Sequence, residues 1–203
     1  MLFQKSHTEY TGKTDEELMQ LLRQGNHDVM VLIMRRYKQR IITFIFRFIG
    51  SYEIAIDLAQ DVFVRVYRSR DTFSGKDKFS NWIFTIAANV ARSEYKSLHT
   101  QATVSLNTIQ LDNSEDSMQL ADESYMPDES VDTSIIAQQI QKALMALPAS
   151  QRIMIIMRDI QNLSYEEIAI IENIEVGTVK SRINRGRAQL QVMLKHLHDE
   201  IIN

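Results

Sequence analysis

LSYEEIAIIENIEVGTVKSRINRGRAQL, residues 163–190, holds two short helical patterns joined by a few residues, and the second pattern carries a cluster of cations. Ser164 stands three residues before Glu167, the spacing at which a hydroxyl and a carboxylate each accept the other's free backbone N–H at a helix start. A helix is therefore predicted to begin at Ser164, with Ile168 and Ile171 inward and Ala169 small enough to let a second helix approach. The pattern breaks at Glu172-Asn173, and Asn enters the left-handed conformation at low cost.

From Val176, the residues Val179, Ile183, Gly186, Leu190, Met193 and Leu197 recur at steps of three and four and predict one buried stripe. Thr178, Lys180, Ser181, Arg182, Asn184, Arg185 and Arg187 fill the rest of the helix, and no acid occurs from Val176 to Met193. A bracing helix, a tight turn and a cationic second helix form a helix-turn-helix, whose second helix reads the major groove through Arg, Lys and Ser. The plainer alternative is a solvated basic face on a helical hairpin. Capping box, turn spacing and the acid-free face together favour DNA.

The 203 residues, 44% of them hydrophobic, can bury a core in one domain or two. The chain has no cysteine, which excludes disulfides, thiolate nucleophiles and cysteine-based zinc sites. Its five His residues form no ligand set, and no metal or other cofactor is expected. The longest apolar run, Ile41 to Ile49, is broken by Arg47 and is shorter than the roughly 20 residues of a membrane span. No signal peptide is apparent, so a cytoplasmic protein without stable membrane insertion is predicted.

The formal net charge of −3 hides a division. Met1 to Lys96 has fifteen Lys and Arg against eleven acids, Ser97 to Gln141 has eight acids and no Lys or Arg, and Lys142 to Asn203 has eight against seven. Two mildly basic modules flank an acidic connector, and DNA binding depends on where the charge sits.

Residues 1–13 show no periodicity and are expected to be loose. Thr14-Asp15-Glu16-Glu17 repeats the capping box ahead of Leu18, Leu21 and Leu22. A longer helix then carries Val29, Ile33, Tyr37, Ile41, Phe44, Ile45 and Phe48 inward, with Arg35, Arg36, Lys38 and Arg40 opposite. In the third, over 52–70, Ala55, Leu58, Ala59, Val62, Phe63 and Val66 turn inward while Asp57, Gln60, Asp61, Arg65 and Arg68 gather outside. A loop over 71–78 leads to a helix with Phe79, Trp82, Ile83, Ile86, Val90 and Ala91 as its core stripe. Residues 97–131 are polar, acidic and without helical period, which predicts a flexible linker. Helix returns over 132–147 with Ile135, Ile136, Ile140, Ala143, Leu144 and Leu147 inward, ends at Pro148, and resumes over 149–160.

SYEEIA followed by VGTVKSR resembles the C-terminal module of extracytoplasmic-function (ECF) sigma factors, promoter-specificity subunits of bacterial RNA polymerase. DLAQDVF, residues 57–63, and FSNWIFTIAAN, residues 79–89, resemble that family's N-terminal module, in family order. The resemblance implies an all-α chain of two small helical domains joined by a flexible acidic linker, the C-terminal one a helix-turn-helix. Residues 14–96 would bind core RNA polymerase and the minus-ten element, 97–131 would be the linker, and 132–203 would read the minus-thirty-five element. It implies core polymerase contact through Asp57, Gln60 and Asp61. Minus-ten contacts would come from Phe73, Lys76, Lys78, Asn81, Asn89, Arg92 and Lys96, around a pocket able to hold an unpaired base. Minus-thirty-five contacts would come from Thr178, Lys180, Ser181, Arg182, Arg185 and Arg187.

The resemblance further implies promoter DNA as ligand, an anti-sigma factor as partner, and no catalysis by this chain. The sequence departs from the family's pattern at Asn162 and Asn173, where Gly is common, at Glu172, where an apolar residue is usual, and at Glu175, which lacks the common Ser or Pro. The rival reading is a stand-alone helix-turn-helix regulator with an N-terminal sensing or dimerisation domain. A helical enzyme is a third, weaker one.

Overall fold

The computed structural model describes Tyr10, residues 12–108 and residues 131–195, and among these every regular element is helical. The expected loose N-terminus, most of the expected linker, Leu197 and the last two histidines lie largely or wholly outside the described residues.

Thr14 and Glu17 form the capping box that starts α1 (Asp15–Arg23), Thr14 N donating to Glu17 Oε2 at 2.7 Å and Glu17 N to Thr14 Oγ1 at 3.2 Å. A 3-10 turn (His27–Val29) leads into α2 (Met30–Ile49), and the seven predicted inward residues, Val29 on the turn and six on α2, are all buried. Gly50 ends it at φ 93°, and Ser51 caps α3 (Tyr52–Arg68) through the Ile54 N–H.

α4 (Phe79–Thr108) runs past the expected linker boundary at residue 97. Residues 97–108 contain neither Gly nor Pro, so nothing local stops the helix, and the acids begin only at Asp112. Its buried surface is wider than the predicted stripe. Phe84, Ala87 and Ala88 are also buried, because α4 packs against α2, α3 and a helix of the C-terminal module.

α5 (Val131–Ala146) leaves Ile135 48% exposed, contrary to the inward assignment, while Ala143, Leu144 and Leu147 are buried as predicted. The buried length of α5 is its C-terminal half, which meets α2 and α6. α6 (Ala149–Ile155) continues through a π turn (Ile156–Ile160) and is enclosed on all sides from Arg152 to Met157.

α7 (Tyr165–Glu172) starts with the predicted capping box, Ser164 N donating to Glu167 Oε2 at 2.8 Å and Glu167 N to Ser164 Oγ at 3.1 Å. Asn173 stops it at φ 52°, ψ 52°, and α8 (Val176–Met193) follows without a side-chain cap at Glu175. Asn162 and Asn173 both have positive φ, which accounts for Gly being common there in the family. On α8 Val179, Ile183 and Gly186 are buried, Leu190 is half-buried, and Met193 is exposed. The stripe loosens there because the packing against α6 occurs near Gly186, where an added Cβ would sit 3.1 Å from Ile155 Cγ1.

The two sets of helices share one continuous core. Arg152 on α6 is central to the junction. It is 3% exposed and donates to the carbonyls of Phe48 on α2 (2.7 Å), Met145 (2.7 Å) and Leu147 (3.0 Å). Its guanidinium also lies 5.6 Å from the Phe48 ring centre and 5.5 Å from that of Tyr95. Beside it, Gln161 Nε2 donates to the Arg40 carbonyl at 3.2 Å, while Arg40 donates to the Gln161 carbonyl at 3.2 Å.

Candidate nucleic-acid interface

On α8 the steps from 178 to 181, 182 and 185 are three, four and seven, so Thr178, Ser181, Arg182 and Arg185 share one face. Ser181 and Arg185 are exposed, and Thr178 and Arg182 partly so. Arg185 Nε donates to the Ser181 carbonyl at 3.3 Å, which lays the guanidinium along the helix surface.

Lys180 and Arg187, seven apart, occupy a different strip. Lys180 Nζ is 5.7 Å from the centre of the Tyr165 ring, which Arg158 approaches at 4.8 Å. Arg187 is held by both oxygens of Asp159, its Nε 3.1 Å from Oδ2, and the carboxylate pushes the Arg187 pKa up. The six minus-thirty-five candidates therefore divide into an outward row of four and a pair turned toward α7 and the end of α6.

The minus-ten candidates divide as well. Lys76, Lys78, Asn89 and Lys96 are exposed and Arg92 is half-exposed. Phe73 is only 4% exposed, with ring centres 5.8 Å from Phe79 and 5.3 Å from Trp82. It is a core anchor of the loop, because an apolar ring between two helix-start aromatics gains more from burial than from facing water. Asn81 is likewise 4% exposed, and its Oδ1 has no partner. Neither side chain presents itself at the surface.

The start of α4 is fixed by Glu16 on α1, whose Oε1 accepts the Phe79 N–H at 2.9 Å. Asn89, Arg92 and Lys96 follow at steps of three and four along one α4 face, and Arg92 Nη1 donates to Asn89 Oδ1 at 3.3 Å. Two of these cations meet acids of the other module. Lys78 Nζ is 2.8 Å from Glu167 Oε1, and Arg92 Nη2 bonds Glu172 Oε1. Hydrogen bonding to Lys78 lowers the Glu167 pKa, whereas burial raises that of Glu172 despite the pull of Arg92. The departure at Glu172 thus supplies the counter-charge of an α4 cation.

On α3, Asp57 and Gln60 are exposed and Asp61 is partly so, paired with Arg65 at 2.9 Å. Beside this row the composition had indicated only a charged α2 surface. The structure adds an apolar cavity of about 530 Å³ between α2 and α3, lined by Met30, Met34, Ile42, Phe63, Val64 and, from the polar row, Gln60. Met30 and Met34, four apart on the charged side of α2, were the signal that could have found it. Among the described residues no helix is long and apolar enough to cross a membrane.

The family description Sigma-70 region 2 matches residues 33–100, and Sigma-70, region 4 matches residues 137–190. The chain is 31% identical over 176 residues to the ECF RNA polymerase sigma factor SigW of Bacillus subtilis, covering 87% of this chain and 94% of that protein. It is 30% identical over 175 residues to the ECF RNA polymerase sigma-E factor of Escherichia coli, covering 86% and 91%. Among solved structures, the sigma factor RpoE of Bartonella quintana in complex with the anti-sigma factor NepR superposes with a TM-score of 0.62 at 27% identity, covering 81% of this chain and 95% of that one. CnrH in complex with the cytosolic domain of CnrY has a TM-score of 0.68 at 20% identity, covering 90% and 97%, a likeness of fold.

Proposed function

The chain belongs to the ECF family of RNA polymerase sigma factors, which bind core polymerase and direct it to promoters, and from that premise we propose how its surfaces divide the work. The outward row of α8, Thr178, Ser181, Arg182 and Arg185, reads the minus-thirty-five duplex. Lys180 and Arg187 contribute charge beside it. The exposed loop cations Lys76 and Lys78 and the α4 row of Asn89, Arg92 and Lys96 take the minus-ten strand. Phe73 and Asn81 act from beneath, holding the loop on the helix. Asp57, Gln60 and Asp61 bind core polymerase, with the neighbouring cavity accepting apolar side chains of the same partner.

The functional modules are 14–96 and 132–203. The chain works by binding and not by covalent chemistry, because opening a strand can be driven by the affinity of a surface for the opened form. Core polymerase carries out nucleotide addition. The site of action is the cytoplasm, and an anti-sigma partner is expected, as NepR is for the Bartonella relative.

The observation that carries this reading is the exposed row on α8 behind a capped bracing helix and a left-handed Asn turn. Run-off transcription with purified core polymerase tests it, and a promoter-dependent product is expected only when the chain is added. A chain that instead binds a symmetric site alone, with half-sites about 34–36 Å apart, would be the stand-alone regulator. Asp61→Lys is expected to weaken core binding while leaving the helix-turn-helix folded; unchanged core affinity would remove Asp61 from the interface.

A further inference from the structure

The cavity between α2 and α3 combines apolar walls with unpaired cations. Ile42, Ala59 and Phe63 are buried along it, and Met34 and Val64, 39% and 44% exposed, stand at its mouth. Lys38, Arg68 and Gln60 also line it, and no acid does. Both cations are exposed, and neither forms an ion pair among the described residues. Asp57 and Asp61 of the outer α3 row lie outside the lining, and Asp61 is taken by Arg65. Tyr67 forms one wall and is fixed there. Its hydroxyl shares a hydrogen bond with His27 Nδ1 at 3.1 Å, and Arg70 lies 4.8 Å from its ring centre.

α2 and α3 run antiparallel about Gly50, so the lining residues far from that turn, Lys38 and Arg68 with Met34 and Val64, share one half of the cavity. Ile42 and Ile56 occupy the half toward the turn. A volume of about 530 Å³ falls in the range of cavities that enclose a small molecule, roughly 300–1,000 Å³. An apolar chain ending in an anion satisfies both halves. Its methylenes leave water, and its carboxylate meets the fork of Arg68 with Lys38 as a second charge. A neutral chain would leave the cations unanswered, and a cationic one would be repelled. Recognition of an anionic bilayer takes clusters of about four to eight Lys and Arg, whereas two cations over an apolar slot suit a free molecule.

We propose that this cavity binds a single-chain anionic amphiphile of the fatty-acid class, its carboxylate on Arg68 and Lys38 and its chain against Ile42, Ile56 and Phe63. Gln60 belongs both to this lining and to the row assigned to core polymerase, so an occupied cavity and a bound core exclude each other. That consequence rests on the core assignment; the binding site itself does not.

Isothermal titration calorimetry of the full chain with decanoate, kept below its micelle concentration, is expected to show one saturable site. Octanoate should bind about tenfold more weakly, since each buried methylene is worth about fourfold in affinity. Decanol and decylamine should also bind about tenfold more weakly than decanoate. Lys38→Gln with Arg68→Gln should bring decanoate down to the level of decanol and leave decanol unchanged, a pattern that loss of fold would not give. Val64→Glu, at an exposed position, sets an acid against the carboxylate and should weaken decanoate more than decanol. Helical circular dichroism checks both variants.

Decanol or decylamine binding as tightly as decanoate would reduce the cavity to an apolar surface and overturn the proposal, as would an affinity untouched by either variant. Absence of saturable binding does the same, and so does capture of the chain by vesicles of anionic phospholipid when decanoate is not bound. Saturating decanoate should weaken core binding. If decanoate fills one site that the variants impair and core affinity stays the same, the site stands and Gln60 leaves the core interface.

Discussion

The two cationic surfaces of this molecule are built from the same residue types and differ in which of their cations are paired: on α8 Arg187 has Asp159, on the loop and α4 Lys78 and Arg92 have Glu167 and Glu172. On α8, Arg182 and Arg185 form no ion pair among the described residues, and the helix contains no acid. On α4 and its preceding loop, Lys78 and Arg92 are already matched with carboxylates of the other module. Under the proposed division of work, the outward row of α8 meets its duplex without breaking an ion pair, and Lys78 and Arg92 meet theirs with acids already beside them. Counting cations along a sequence cannot distinguish these conditions, since the acids that pair with Lys78 and Arg92 are 89 and 80 residues away.

The largest effect on the comparison should come from Arg152, which sits where the modules join. Arg152→Ala would strand one carbonyl of the first module and two of the second, at about 1–3 kcal/mol for each acceptor left dry. A loss of about 3 kcal/mol or more in urea unfolding is expected, with Arg152→Lys recovering only part because it lacks the planar fork. A cost below about 1 kcal/mol would mean that water replaces the guanidinium and that the junction is looser than its burial implies.

Arg182→Ala should cost about 1–3 kcal/mol in binding the minus-thirty-five duplex and relax preference at one base pair. Equal loss on every sequence would make Arg182 a phosphate contact. Arg187→Ala should cost less in DNA binding, because Asp159 already engages that guanidinium. Competition binding with a set of single-base variants measures both. If Arg187→Ala proves the more damaging, the outward row on α8 has been drawn on the wrong face.

Most of the architecture was legible in local sequence. Both capping boxes, Thr14 with Glu17 and Ser164 with Glu167, form as their three-residue spacing requires. All seven residues assigned inward on the 3-10 turn and α2 are buried, and Leu32, Ile42 and Ile49 are buried besides, because α2 packs against several other helices. α4 was read only in part, since a helix packed on several sides buries residues off the main stripe, Phe84 and Ala88 among them. The expected linker opens on residues that continue α4 to Thr108, because a polar stretch without Gly or Pro can extend a helix without holding an apolar period. Phe73 and Asn81 were legible as belonging to the loop and its helix, but the depth of Phe73 depends on Phe79 and Trp82 packing against its ring, and that of Asn81 on the tertiary structure. Glu172 was noticed as a departure, and its partner could come only from the tertiary structure.

The smallest expected effect is also the sharpest test of how the α4 surface differs from α8. The two acids on α7 respond to pH with opposite signs. Glu167 is held below the ordinary glutamate value of 4.5, first by its hydrogen bond to Lys78 and then by the Ser164 N–H. Its contribution to stability is present above 4.5 and is lost as pH falls through the lowered value. Glu172 is raised, first by burial, against the pull of Arg92 and Arg182. Its contribution is full below 4.5 and is lost as pH rises through the raised value. Lowering the pH should therefore raise stability in urea unfolding as Glu172 takes up a proton and lower it as Glu167 does. Because Lys78 is exposed, solvent screening keeps the second limb shallow. Glu172→Gln removes the first limb and should leave a stability that only falls with acid. A rise that survives this substitution would assign it to another group.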